Sequence, residues 1–295
     1  MSTVGVLTDS CASIPESLIE KLDIEVVPYY IHRGRETLRD LVDVQREEFF
    51  RWLATAEELP KTANPSAGDF LEAYKSLAER VGEIASIHMT SIGSGAYQSA
   101  VVAQEMAREV LPDLRIEVVD TRNVSLCHGW MVIEAARAAL AGKSLDEIMQ
   151  LVRDMIPITK MIQTADTLRY LYLGGRIGKA QHLFGSLLNI RPLIGMEDGV
   201  IVPLGQARGR LGAYRKIVEM MEEDVGPSRR IKAAFVHAAA PEEAEKLRAM
   251  VEERLTCVEA LMAELSPALG VHTGPGTAGV CYFPVTGVSF QGEVS

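Results

Sequence analysis

The sequence predicts an α/β protein in two parts. An N-terminal three-layer α/β/α unit with a parallel sheet spans residues 1–158, a two-layer α/β unit with a mixed sheet spans residues 159–285, and residues 286–295 form a tail. Three observations carry this reading. Short apolar runs alternate with helical periodicity through the first half, as in a parallel sheet covered on both faces. After about Pro157 the alternation gives way to strand runs joined by a tight turn, which implies antiparallel pairing. A chain of 295 residues with 47% hydrophobic side chains can also bury the core of two ordinary units.

The elements follow in order. Residues 4–7 (VGVL) open the first strand, and Pro15 opens the helix behind it, because a proline in the first turn forfeits no helical hydrogen bond. Residues 24–31 read as a second strand, followed by two helices capped by Asp43 and Ser66. Residues 84–89 (IASIHM) form a buried strand that passes through TSIGSGAYQSA, residues 90–100, into a helix after Gly95. Residues 116–119 form the fourth strand, and a long helix starts from Val124. Gly142 ends that helix as a C-cap, and Ser144 with Glu147 form a capping box for the next. In the second half, strands fall at 160–164, 190–196, 200–206, 231–237, 257–264 and 278–283, with helices at 209–224 and 241–255. Glu197, Asp198 and Gly199 make the hairpin turn between the second and third of these strands. The closing VTGVSFQGEVS carries few structural signals and reads as a loose tail.

Composition excludes several functions. A net charge of −10, from 30 basic and 40 acidic residues, lacks the basic surface a nucleic-acid partner requires. The most apolar helix, residues 124–141, is interrupted by His128, Glu134 and Arg137, so stable membrane insertion is not expected. Cys11, Cys127, Cys257 and Cys281 show no metal-ligand spacing and read as small hydrophobes in a reducing compartment. The opening MSTVGVLTDS runs straight into a strand without a leader pattern, so a cytoplasmic protein is expected.

Ligands of open α/β sheets sit beyond the carboxyl ends of the strands. Here those ends carry Thr8, Asp9 and Ser10, then Thr90, Ser91 and Ser94, then Asp120 and Thr121, all of which also serve as ordinary turn and cap residues. The Gly- and Ser-rich turn at 90–95 exposes backbone N–H groups at a helix start, where anions bind. Catalytic motifs are absent. RAALAGKS has Arg137 where a phosphate loop needs its first glycine, and LGGRIGKA lacks both that glycine and the final hydroxyl. IGSGA has Ile92 and Ala96 in place of the outer glycines of a nucleophile elbow. Nothing in the spacing brings His272 to Ser94 as a base.

Seven segments, taken together, resemble the DegV family over nearly the whole chain. They are VGVLTDS, LPKTANPS (59–66), TSIGSGAYQSA, VVDTRNVS (118–125), LRYLYLGGRIG (168–178), LLNIRPLIGMEDG (187–199) and GVHTGPGTAG (270–279). The resemblance implies two α/β domains with a ligand at their junction. It also implies a non-catalytic protein, similar to the acyl-carrying subunit of bacterial fatty-acid kinase. Such a protein encloses a long-chain fatty acid and presents its carboxylate to a separate kinase, with no cofactor and no metal.

The contacts the resemblance implies fall on Thr62, Ser94 and His272, with Gly95 and Gly274 beside them and Arg176 at the mouth. Each has a second reading: Ser94 as a helix N-cap, Thr62 as a turn hydroxyl before Pro65, His272 as a structural histidine, and Arg176 as half of an ion pair or a kinase contact. Asp9 and Ser10 are supporting candidates. Leu168, Leu171, Leu183, Phe184, Leu187 and Leu188 are core or tunnel lining. Four positions depart from the family pattern: Ala63 replaces a hydroxyl, Gly93 and Ala96 replace an apolar residue and a threonine that flank the Ser-Gly pair, and Arg191 replaces a lysine.

Burying about fourteen methylenes at ~0.8 kcal/mol each yields roughly 11 kcal/mol, against an association cost of about 4 to 15 kcal/mol. The carboxylate loses its hydration and must accept hydrogen bonds in exchange. A Ser/His hydrolase of lipid esters, or a carrier of another amphiphilic acid without a kinase partner, are the competing functions.

Overall fold

The computed structural model describes residues 4–185 and 189–285. In the first half, β1 (Val4–Asp9), α1 (Glu16–Leu22) and β2 (Ile24–Val27) are followed by a detour. Pro28 has no N–H for the sheet, and the chain leaves it there. β3 (Tyr30–Arg33), β4 (Glu36–Arg39), α2 (Arg46–Leu53) and β5 (Lys61–Ala63) follow, and the three strands form a separate antiparallel sheet in the order β4-β3-β5.

The continuous strand expected over 24–31 is therefore two strands in two sheets. Asp43 is not a helix cap either: its carboxylate accepts from the Arg39 backbone N–H and pairs with the Arg39 guanidinium, and Gln45 occupies the N-cap position of α2. Ser66 does cap α3 (Ala67–Ala78), in a reciprocal box with Asp69. β6 (Glu83–His88), α4 (Ala96–Val110), β7 (Arg115–Asp120), α5 (Ser125–Leu140) and α6 (Leu145–Met155) complete the half, and Ser144 with Glu147 form the expected box on α6.

The larger sheet runs β2-β1-β6-β7, all parallel, with α3 and α4 packed on one face and α1, α5 and α6 on the other. The second half contains β8 (Lys160–Thr164), α7 (Arg169–Leu173), β9 (Ile190–Glu197), β10 (Val200–Arg208), α8 (Gly209–Val225), β11 (Arg230–His237), α9 (Pro241–Glu252), β12 (Thr256–Glu264), α10 (Pro267–Thr273) and β13 (Ala278–Pro284). Its mixed sheet runs β10-β9-β8-β13-β11-β12, with only β11 and β12 parallel. Asp198 and Gly199 both take positive φ in the β9–β10 turn, as a two-residue hairpin demands. The short helix α10 carries no strong periodic signal and is not among the expected elements.

α5 joins the halves. A helix that is apolar all round must be buried all round, and residues from Ser125 to Ala136 along it are buried without a break. One side packs on β1 and β6 and the other on β13, where Trp130 donates its indole N–H to the Cys281 carbonyl at 3.2 Å and meets Phe283 edge to face. The charges near this contact are paired: Glu134 of α5 is bonded by Arg137 at 2.7 Å and Lys232 at 2.8 Å, and Arg137 also holds Glu259 of β12. α8 and α9 cover the far face of the mixed sheet over Tyr214, Ile217 and Phe235. No helix among the described residues is long and apolar enough to cross a membrane.

Because Trp130 fills the junction of both sheets, Trp130→Ala is expected to cost about 3–5 kcal/mol, read from urea unfolding. A loss below about 1 kcal/mol would show that the halves are held together by something other than this helix.

Candidate functional site

The junction of the two sheets encloses a cavity of about 390 Å³. Much of its wall is apolar, from Met89, Val124, Met161, Leu171, Met196, Ile201, Leu265 and Leu269. Polar groups gather on it from three directions, and each is placed by its own element.

The first group follows β6. Thr90 donates to the carbonyl of Gly199 in the β9–β10 turn at 3.0 Å, which ties this loop to the second half. Ser94 comes next, with its Oγ 2.6 Å from the Tyr29 hydroxyl. Gly95 is the N-cap of α4, and a Cβ there would stand 2.9 Å from Asn64 Oδ1; Asn64 itself bonds Ser99 of α4 at 3.0 Å. The glycine lets the segment after β5 lie directly against the start of the helix.

The second group is Thr62 in β5, held by its pairing with Ile31. The third is His272, in the last turn of α10, with Nε2 2.9 Å from Thr62 Oγ1. Burial pushes the imidazole down to about 4, and the Arg176 guanidinium adds to the effect, so the ring is neutral at neutral pH. Its Nδ1 is buried without a hydrogen-bond partner among the described residues and lies so close to Gly174 that a Cβ there would collide with it.

Of the expected residues, Thr62, Ser94, Gly95, Arg176 and His272 all line this one cavity. Arg176 is exposed; its guanidinium donates to the Gly174 carbonyl at 2.7 Å and makes no ion pair among the described residues. Gly274 is not in the wall. Its φ is +73°, and a Cβ would enter the ring of Tyr170, so the close approach it permits is to that tyrosine. Asp9 and Ser10 stand behind the wall. Burial opposes ionisation of Asp9, but His128, His88 and the Met89 N–H hold its carboxyl below the usual range. Ser10 donates to Asp40 at 2.6 Å and accepts from the Tyr29 N–H at 3.1 Å.

Among the leucines, Leu171 lines the cavity, whereas Leu168 and Leu183 pack into a satellite core with Ile177 and Ile194. Phe184 is 40% exposed and stacks on Tyr172, and Leu187 and Leu188 lie outside the described residues. Ala63 lines the cavity where a hydroxyl is usual, and Arg191 pairs with Asp166 at 3.0 Å. Two residues that shape the site were not expected. Tyr29 is buried, and its hydroxyl is kept protonated by that burial. Asp40 accepts from the Ala268 N–H at 3.2 Å and so holds α10. The proline before Tyr29 was the available signal, since it forces the chain out of the parallel sheet and toward the cavity.

Among the described residues no cluster of His, Cys, Asp and Glu could hold a metal. The fold and the site together define an α/β protein of two halves with a largely apolar cavity at their junction and hydroxyl and imidazole groups in the cavity wall. The chain belongs to the DegV family: residues 3–285 match the model described as uncharacterised protein, DegV family. A DegV domain-containing protein of Caldanaerobacter subterraneus is 33% identical over 96% of this chain and 99% of its own. Among solved structures, a DegV family protein from Thermus thermophilus described for fatty-acid binding superposes with a TM-score of 0.89 at 31% identity, covering 97% of this chain and 100% of its own. Bacillus subtilis DegV, described as a fatty acid binding protein, superposes with a TM-score of 0.86 at 28% identity, over 96% and 99% of the two chains.

The neutral imidazole gives a signed pH dependence. His272 falls from 6.5 to about 4 on folding, so between those values the unfolded chain binds more protons and the contribution to stability is lost as pH drops through the window. NMR of the ring carbons is expected to show His272 uncharged until pH approaches 4, and His272→Gln to flatten that part of the stability profile. Titration at the ordinary 6.5 would contradict the buried, neutral assignment.

Proposed function

We propose that the protein binds a long-chain fatty acid in the cavity between its sheets and presents the carboxylate to a separate kinase in the cytoplasm, which phosphorylates it. The chain itself performs no chemistry in this reading. The observation that carries it is the convergence of Thr62, Ser94 and a neutral His272 on one mostly apolar cavity, with no cationic side chain bonded to them.

Hydroxyls, an uncharged imidazole and the first amides of α4 can donate hydrogen bonds to a desolvated carboxylate. The helix adds its partial positive charge at the same point. None of these groups forms the bidentate clamp that an arginine would, so the carboxylate oxygen keeps a lone pair for attack on the terminal phosphorus of ATP, with ADP as leaving group. Arg176 is exposed beside His272 and serves the mouth or the partner kinase. The two fatty-acid-binding relatives described above share this fold over nearly the full chain and support the reading.

Hydrolysis of a lipid ester is the weaker account. Ser94 bonds Tyr29 and His272 bonds Thr62, so the serine has no base, and the second nitrogen of the imidazole has no carboxylate to orient it. A Ser86–His88–Asp9 chain does have the connectivity of a triad, at 2.7 and 3.2 Å, but all three residues are without solvent exposure and the Ser86 hydroxyl is also held by Tyr74.

Delipidated protein offered palmitate and oleate is expected to retain one acyl chain per molecule by native mass spectrometry. Thr62→Val and Ser94→Ala should each weaken retention about 10- to 100-fold, the value of one hydrogen bond to a charged group. With a fatty-acid kinase catalytic subunit and ATP, acyl phosphate should form from the loaded protein. A wild-type chain that retains neither acid overturns the proposal.

A further inference from the structure

α5 meets the cavity with a helix end that no side chain among the described residues caps. Its N-cap position is Val124, which offers no side-chain acceptor, and the first residues, Ser125, Leu126 and Cys127, are at most 3% exposed. Buried helix ends ordinarily find acceptors for their free N–H groups in side chains, water or ligands. Val124 and Ser125 both line the cavity. Ser125 also holds φ at +58°, a left-handed conformation that non-glycine residues adopt rarely and that clusters where a site demands it. Its Oγ is buried and has no hydrogen-bond partner among the described residues.

A second polar group lines the same cavity. Gln163 of β8 is 4% exposed, shares its strand face with Met161, and makes no side-chain hydrogen bond among the described residues. Its amide supplies two donors and an acceptor, and the serine supplies one donor and two acceptor lone pairs. Neither takes part in the Thr62–His272 or Ser94–Tyr29 contacts, and both share the cavity wall with apolar side chains such as Val124, Met161 and Met196. A plain alkyl tail would fill the space and leave every one of these groups unsatisfied.

We infer that the cavity is built for a fatty acid carrying a hydroxyl on its chain, bound between Ser125 at the start of α5 and the Gln163 amide. The inference rests on the fatty-acid reading above and narrows its ligand class. The hydroxyl would donate to Gln163 Oε1 and accept from Ser125 Oγ or an amide of the first turn, so that both partners and the ligand are satisfied together. An unsubstituted chain forfeits that exchange.

The test is competitive loading of delipidated wild-type protein with an equimolar mixture of octadecanoate and its hydroxylated isomers, the hydroxyl walked along the chain, followed by extraction and mass spectrometry. At least one isomer is expected to be retained about tenfold over octadecanoate, the worth of one buried polar group satisfied or left bare. The double substitution Ser125→Ala, Gln163→Leu is expected to reverse that ranking. If wild-type protein takes octadecanoate as well as every isomer, trapped water satisfies these groups and the inference is overturned, with fatty-acid binding intact. The same holds if the variant keeps the wild-type order. If neither kind of acid is retained, the fatty-acid reading itself fails and carries this one with it. Should the variant not fold, the wild-type ranking alone decides.

Discussion

Asp40 is a carboxylate without solvent exposure at the meeting point of the two halves, and the geometry of the cavity wall depends on it. Burial raises its pKa to about 6, against hydrogen bonds from the Ser10 hydroxyl and the Ala268 N–H that favour the charged form. A buried charge of this kind persists only where donors surround it. Two placements follow. The bond to Ala268 fixes α10 against the first half, which carries His272 to Thr62. The bond to Ser10 orients a hydroxyl that also receives the Tyr29 N–H, and Tyr29 in turn reaches Ser94. The Thr62–His272 and Tyr29–Ser94 contacts thus trace to one buried carboxylate that does not itself line the cavity.

The same junction explains why the donors are neutral. α5 meets the cavity only at its first residue, and its charges are consumed in pairs with Lys232 and Glu259 away from the cavity. Within the wall, burial keeps the His272 ring uncharged and the Tyr29 hydroxyl protonated. An environment that discharges its own titratable groups is also costly for a ligand carboxylate, so whatever anion enters must be met by hydrogen bonds in number. Thr62, Ser94, His272 and the start of α4 offer that number in one place.

Much of this was legible in the residues. The parallel sheet, the mixed sheet, the Ser66 and Ser144 capping boxes and the hairpin at Asp198 and Gly199 follow from local periodicity and turn chemistry, and they stand where local rules place them. The departures have long-range causes. The run at 24–31 looks like one strand because β-branched and aromatic residues dominate it, yet Pro28 ends the pairing and the remainder joins Thr62 in another sheet. Asp43 has the chemistry of a cap, but the Arg39 guanidinium competes for it. Gly274 promised a close approach and delivers one, to Tyr170 and not to the cavity. Tyr29, Asp40 and Gln163 lie in no quoted motif, and Ser125 ends VVDTRNVS without a role of its own: their places come from contacts across the fold, which no local window contains.

The central claim is that a carboxylate can be held, ionised and out of water, by neutral donors drawn from both halves. It is tested most directly by NMR of the protein loaded with palmitate labelled with carbon-13 at the carboxyl. The expected result is a single bound resonance at the position of an ionised carboxylate at neutral pH, titrating at or below the ordinary value of about 4. A bound carboxyl that is protonated at neutral pH, or one that titrates and exchanges like acid free in solution, would contradict it.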